Sequence, residues 1–351
     1  MAGFTDYVFR ELCKREGADV LVSEFVLADA LLRGSPQIWE EVDFSESQRP
    51  MGVQIFGCSP GVMAKAAQSI AQKLRPDFVD LNFGCPSDKV TCRDAGSSLL
   101  RNPPKLASIA KMVVDSMRTE QLPVTAKIRI GWDEQSIVAL DVAKRLEDAG
   151  VECIAIHGRT KEQGYRGMAN WEVIESVARS VRIPVIGNGN ITSAGHVAAL
   201  FGNSAVSGIM IGRAALGYPW IFREIKETLR TGQAPLPPTL EERWETLLTY
   251  AALLLQRPHR DRRDGDIRWM RPRLIKLTKD MTGSRRIRGD LQNVTTLSSL
   301  QSLAKRHIDS YHDADLRVRQ EKRERQLSIN SLQQPVTAFS FSGCRPHENA
   351  S

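Results

Sequence analysis

The chain has 351 residues, of which 42% are hydrophobic and 25% charged, a balance that suits a soluble globular protein with a sizeable core. No run of ~18 apolar residues occurs and no basic segment leads into an apolar one at the N-terminus, so a cytoplasmic protein is expected, with neither membrane span nor export signal. The formal net charge of +7 permits a polyanionic partner, and its location decides more than its total.

Taken in order, short β-branched runs alternate with helical patterns from residue 19 to residue 212. The predicted strands are DVLVSEF (19–25), MGVQIFG (51–57), FVDLNFG (78–84), VTAKIRI (124–130), CIAIHG (153–158), PVIGNG (184–189) and GIMIG (208–212). Between them, Ser59-Pro60 opens a helix whose apolar face holds Val62, Met63, Ala66, Ala67 and Ile70, and Asn102-Pro103 opens another through Leu106, Ile109, Ala110 and Val113. A third is expected to open at Ser136, run to Leu146 and stop at Gly150. Strands and helices alternating at this spacing make parallel βαβ units. Their number points to a closed (β/α)8 TIM barrel rather than an open doubly wound sheet, for which no G-x-G-x-x-G follows the first strand. The opening stretch MAGFTDYVFRELCKREG reads as the loop and helix after a first strand that is itself absent. Such an opening would leave the barrel with two unpaired edges.

From about residue 233 the character changes. APLPP at 234–238 is a stiff linker, LEERWETLLTYAALLL at 240–255 has helical periodicity, and further helical patterns run over 266–281 and 294–312. Between Arg257 and Asp290 stand twelve Lys or Arg against five Asp or Glu, an excess equal to the whole chain's net charge. Beside a catalytic face, such a helical domain suits a nucleic-acid phosphate backbone. The expected organisation is a catalytic barrel over 1–232, a small basic α-helical domain over 233–315 and a disordered tail over 316–351 with a frayed helix at its start. Six cysteines, Cys13, Cys58, Cys85, Cys92, Cys153 and Cys344, form no C-x-x-C pair. This speaks against a zinc site or a disulfide framework, so no metal is expected.

Chemistry in a barrel sits at the C-terminal ends of its strands. Read in turn, those ends carry Glu24, Gln54, Asn82 with Cys85, Lys127 with Arg129, His157, Asn188, and Gly212 with Arg213. In VDLNFGCPSDKV the apolar strand runs into a Gly-Cys-Pro turn that presents Cys85, which as a thiol can be nucleophile, metal ligand or proton donor. A free Cys is more often a small buried hydrophobe. GNGNI (187–191) and IGRAA (211–215) stand at the two strand ends where barrels commonly bind phosphate. With Gln54 and Lys127 facing the same end, that arrangement suits flavin mononucleotide, His157 being a second phosphate donor.

NFGCPSDKV followed by AGSSLL resembles the active-site signature of the tRNA-dihydrouridine synthases. TAKIRIGW, IHGRTKEQGYRG, PVIGNGNI and MIGRAALGYPWIF resemble further blocks of that family in family order, the likeness covering residues 1 to about 315. The resemblance implies an FMN enzyme that uses NADPH to reduce the C5–C6 bond of uridines in tRNA, the D-loop being the expected region. Cys85 would be the general acid protonating C5 while hydride reaches C6. Asn82, Arg129 and Tyr165 match positions that contact the uridine. Met1, Ala2, Gln54, Lys127, His157, Asn188, Gly189, Asn190, Gly212 and Arg213 match the flavin site. Asn190 departs from the family's more usual acid, and Met1-Ala2-Gly3 matches the last three residues of a Pro-Met-Ala-Gly turn. A monomer is expected. Two alternatives stand beside this reading: a barrel FMN oxidoreductase of the dihydroorotate or enoate type acting on a small molecule, and an RNA-binding protein without activity.

Overall fold

Eight strands form a single parallel sheet in the computed structural model, which describes residues 1, 3–201, 204–257 and 265–332. They are β1 (Leu21–Val22), β2 (Val26–Leu27), β3 (Met51–Phe56), β4 (Phe78–Phe83), β5 (Val124–Arg129), β6 (Cys153–His157), β7 (Val185–Asn188) and β8 (Gly208–Met210). Their order is β1-β3-β4-β5-β6-β7-β8, with β2 also paired to β3. All neighbours run parallel. Strand β3 is buried along its whole length, as expected of a strand covered on both faces. Gly52 lies opposite Phe78 in the register, and the aromatic ring takes the space that a side chain at Gly52 would need.

The segment 19–25 does not form one strand. Ser23 still donates its N–H to Gly52 at 2.9 Å and accepts from the Gln54 N–H on Oγ at 3.0 Å. Glu24 instead turns its carboxylate to the N-terminal loop, accepting from the N–H groups of Gly3 (3.0 Å) and Thr5 (2.8 Å). Backbone donors 21 and 19 residues away thus break the strand into β1 and β2. Among the described residues β8 and β1 are unpaired with each other, so the (β/α) barrel is open on that side.

Helices Pro60–Leu74 and Pro103–Met117 follow β3 and β4 and bury the predicted faces, Met63, Ala66, Ala67 and Ile70 on the first and Leu106, Ile109, Ala110 and Val113 on the second. They pack with the strands into one apolar core. The third helix spans Ala139–Asp148 and does not open at Ser136. Ser136 spends its hydroxyl on Asp133 at 2.7 Å, and Gly131 bridges Ile137, so a closed turn competes with helix capping at that serine.

Residues Met1–Gln301 form one compact unit, and the described residues from Ser302 belong to a second. Within the first, helix Ile221–Thr231 ends on Gly232, whose φ of 76° favours glycine. Helix Leu240–Gln256 opens with a reciprocal capping box between Thr239 and Glu242. Its face of Trp244, Leu247, Ala251 and Leu254 is buried, and it packs on the N-terminal helix Tyr7–Arg15. Asp6 fastens the two: Oδ1 caps the N-terminal helix by accepting from Phe9, while Oδ2 accepts from the Tyr250 hydroxyl at 2.8 Å and pairs with Arg273 at 2.9 Å. Shorter helices Arg271–Leu277 and Ser284–Asp290 follow, and a last helix runs from Leu297 to Leu332. The stretch 316–332 is therefore helical, whereas 333–351, with Cys344, lies outside the described residues. No helix among the described residues is long and apolar enough to cross a membrane.

Candidate active site

Strand register brings the polar strand ends together. Gln54 stands opposite Asp80, Asn82 opposite Lys127, Arg129 opposite His157, and His157 opposite Asn188. On the β3/β4 side the side chains form a chain of hydrogen bonds. Gln54 donates through Nε2 to Asp80 at 2.5 Å and accepts on Oε1 from Asn82 Nδ2 at 2.8 Å. Asn82 Oδ1 in turn accepts from the N–H groups of Cys85 (2.9 Å) and Gly84 (3.2 Å). Asp80 is buried, and loss of water raises its carboxyl against the opposing pull of Thr125, Gln54 and Lys127. Sequence reasoning missed Asp80. Its signal was an acid inside an apolar strand, two residues before Asn82 and so on the same face.

The Cys85 turn is held from its other side as well. The Cys85 carbonyl accepts from the Ser97 N–H at 3.1 Å and the Ser97 hydroxyl at 2.9 Å. Gly96, with φ of 60°, passes so close that a Cβ there would stand 2.9 Å from that carbonyl oxygen. Cys85 itself is half-buried. Burial pushes its thiol up, against opposing pulls from the Ser87 backbone and Arg129, so the group stays protonated at neutral pH.

Two arginines brace the segment after β6 from beneath. Buried Arg129 donates Nε to the Gly84 carbonyl (3.1 Å) and Nη1 to the carbonyls of Thr160 (2.6 Å) and Gly164 (2.9 Å). Arg159, equally buried, donates to the carbonyls of Arg166 (3.1 Å) and Gly167 (2.7 Å), to Asn190 Oδ1 (2.6 Å) and to His157 Nε2 (3.1 Å). Arg159 was not among the predicted site residues, since a cation after a strand does not reveal whether it will meet a ligand or a carbonyl. Tyr165 is carried outward on this segment, 56% exposed, with Arg213 4.7 Å and Arg129 5.8 Å from its ring centroid. A cleft of ≈410 Å3 opens beside the segment between Asp133, Glu134, Gln163 and Gly167, and Cys85 is not part of its lining.

At the far strands, Asn188 donates Nδ2 to the Met210 carbonyl at 2.8 Å and ties β7 to β8. Gly189 has φ of 127°, and a Cβ there would stand 2.5 Å from Ala169 Cβ and 3.1 Å from His157 Cδ2. Asn190, at φ of 57°, accepts from Arg159 and from the Ala169 N–H at 2.7 Å. Gly212 differs, because nothing stands within 4 Å of its would-be Cβ and its backbone lies open to approach. Met1 accepts on its carbonyl from the N–H groups of Phe4 and Thr5, and Ala2 lies outside the described residues.

The site is strongly cationic. His157 is pushed down to about 2, first by burial and then by Lys127, Arg129, Arg159 and Arg213. It is therefore a neutral imidazole, and since Arg159 can only donate to Nε2, the ring proton sits on Nδ1. Burial, with Arg129 adding to it, pushes the half-buried Lys127 amine down to about 7. Among the described residues no cluster of His, Cys, Asp or Glu suits a metal ion.

A protonated thiol beside a cationic surface thus lies at the C-terminal ends of the strands of a parallel α/β barrel, where enzymes of this fold keep their chemistry. The chain belongs to the dihydrouridine synthase (Dus) family, whose model matches residues 1–311. It is 34% identical over 289 residues to a probable tRNA-dihydrouridine synthase of Aquifex aeolicus, covering 82% of this chain and 88% of that protein. It is 43% identical over 241 residues to tRNA-dihydrouridine synthase B of Pseudomonas aeruginosa, covering 68% and 71%. A probable tRNA-dihydrouridine synthase 1 of Synechocystis is 36% identical over 314 residues, covering 88% and 85%.

Proposed function

We propose that the protein reduces the C5–C6 double bond of uridines in tRNA, with FMN as cofactor, NADPH as reductant and Cys85 as general acid. The observation that carries the reading is the half-buried, protonated Cys85 thiol beside Arg129, in a site where Lys127, Arg129, Arg159 and Arg213 cluster around His157. The residues fit a flavin phosphate. His157 has its Nδ1–H to give, Arg213 offers a planar cation, and the Gly212 backbone is open where a side chain would otherwise intrude. Lys127, cationic below pH 7, would sit near negative charge on the ring, and Gln54 keeps one amide hydrogen for the ring edge. Bound and reduced, the flavin would supply the hydride to C6.

Cys85 then gives its Sγ proton to C5, so one hydride and one proton complete the saturated bond. Asn82, held by the Cys85 turn, and Tyr165, exposed beside Arg129 and Arg213, would orient the uracil. The uridine has to leave its stack to reach them, at a cost of a few kcal/mol. Residues 1–232 would form the flavin-binding catalytic part and 233–315 the basic surface that holds the remaining tRNA.

The test pairs the absorbance spectrum of purified protein with a dihydrouridine assay on tRNA from a strain lacking these enzymes. A yellow protein that forms dihydrouridine, and a Cys85→Ala variant that keeps its flavin but loses on the order of 100-fold or more in rate, is the expected outcome. A yellow protein inactive on tRNA would turn the reading to a small-molecule oxidoreductase.

A further inference from the structure

We infer that Asp80 is a positioning residue for Cys85, acting through Gln54 and Asn82 to fix which end of each amide faces the Cys85 turn. The inference rests on Cys85 being the proton donor proposed above. A primary amide has a donor end and an acceptor end, so a row of amides has a direction that something must set. Asp80 uses both oxygens as acceptors, Oδ1 for the Thr125 hydroxyl and Oδ2 for Gln54 Nε2. In its ionised form, which Thr125, Gln54 and Lys127 favour against burial, the carboxylate has no donor to offer and obliges Gln54 to present its NH2 group. That leaves Gln54 Oε1 to accept from Asn82 Nδ2, and it leaves Asn82 Oδ1 to accept from the N–H groups of Cys85 and Gly84.

Reversing the first amide reverses the second. Asn82 would then set its NH2 against two backbone N–H groups, and the turn would lose its support. Asp80, Gln54 and Asn82 are all buried, so water is not at hand to replace a lost partner. Strand pairing adds to the fixity, since Asp80 stands opposite both Gln54 and Thr125. Burying an acid here is costly unless its oxygens are satisfied. A neutral side chain would spare that cost but would leave the Cys85 and Gly84 N–H groups alone to hold the direction of the row.

The test compares flavin-loaded wild type, Asp80→Asn, Gln54→Met and the double variant. Asp80→Asn gives Gln54 a donor to face and lets it turn over. It is expected to lower kcat on the order of 10- to 100-fold, with KM for tRNA within about twofold. In the Gln54→Met background, where the row is already cut, adding Asp80→Asn should change kcat by less than about twofold. Iodoacetamide labelling with peptide mass mapping supplies a readout independent of turnover. The labelling rate of Cys85 should change severalfold in Asp80→Asn and in Gln54→Met, while that of the exposed Cys92 stays constant.

An equal kcat loss in both backgrounds, or unchanged Cys85 labelling, would overturn the inference. Should Asp80→Asn fail to fold, Gln54→Met decides alone, and wild-type labelling of its Cys85 counts against the relay. Failure of the proton-donor reading looks different. Cys85→Ala would then stay active while the labelling result still reports on positioning.

Discussion

At the scale of single residues, Lys127 makes the sharpest claim. In the flavin-free native protein its amine gives up its proton near pH 7, whereas in the unfolded chain it holds it to about 10.4. Between those values the unfolded state binds more protons, so stability rises with pH, and the cost of burying the cation is fully present below pH 7. Thermal melts of flavin-free wild type and Lys127→Met from pH 7 to pH 10 should show wild type gaining on the variant; a constant difference would contradict the assignment. The same residue shows what the sequence discloses. Its place at a strand end was legible because a cation interrupts an alternating apolar strand, and Cys85 was legible because Gly84 and Pro86 punctuate the chain on either side. Arg129 and Arg159 were legible as cations but not as braces, since the carbonyls they serve belong to a segment whose path only the fold determines.

Secondary-structure elements obey the same division between local and distant causes. Helix Leu240–Gln256 was legible from its periodicity, and in the structure a capping box between Thr239 and Glu242 closes its start. Thr239→Ala should therefore cost about 1 kcal/mol, read as a lower urea midpoint with an unchanged slope. No shift in the midpoint would mean that packing against Tyr7–Arg15 holds the helix start without the cap. The split of the first strand was not legible, because Glu24 leaves the sheet for the N–H groups of Gly3 and Thr5. The false helix start at Ser136 failed for a nearer reason. A serine before an apolar run is a good cap only when no aspartate three residues back competes for its hydroxyl.

For the whole molecule, the basic excess between Arg257 and Asp290 turns out to serve two ends. Arg257 pairs with Asp43, Arg268 with Asp266 and Arg273 with Asp6, and Arg271 donates to the Val294 carbonyl, so part of the charge is spent inside the protein. Residues 258–264 lie outside the described residues. Arg285 and Arg286 remain exposed on helix Ser284–Asp290, Arg286 only 3.9 Å from Asp290. Replacing both by Glu should weaken tRNA binding and flatten the plot of log affinity against log salt by roughly one to two units, measured by fluorescence titration. An unchanged slope would remove this helix from the proposed tRNA surface. The count of charges was readable from the sequence, but which of them remain outward was not.

The bracing of the segment after β6 bears on how such a protein changes over evolutionary time. Arg129 and Arg159 grip that segment by the carbonyls of Thr160, Gly164, Arg166 and Gly167. Every amino acid brings a carbonyl, so the grips at Thr160 and Arg166 do not depend on the side chain, whereas Gly164 and Gly167, at φ of 57° and 66°, favour glycine. Side chains such as Tyr165 can then be traded for others while the scaffold under them stays put. Insertions and deletions are another matter, because a change of length would slip both grips at once and, through Gly84, disturb the neighbouring turn. The side chains of this segment are thus free to drift by substitution, whereas its length is pinned by two guanidinium groups bonded to its backbone.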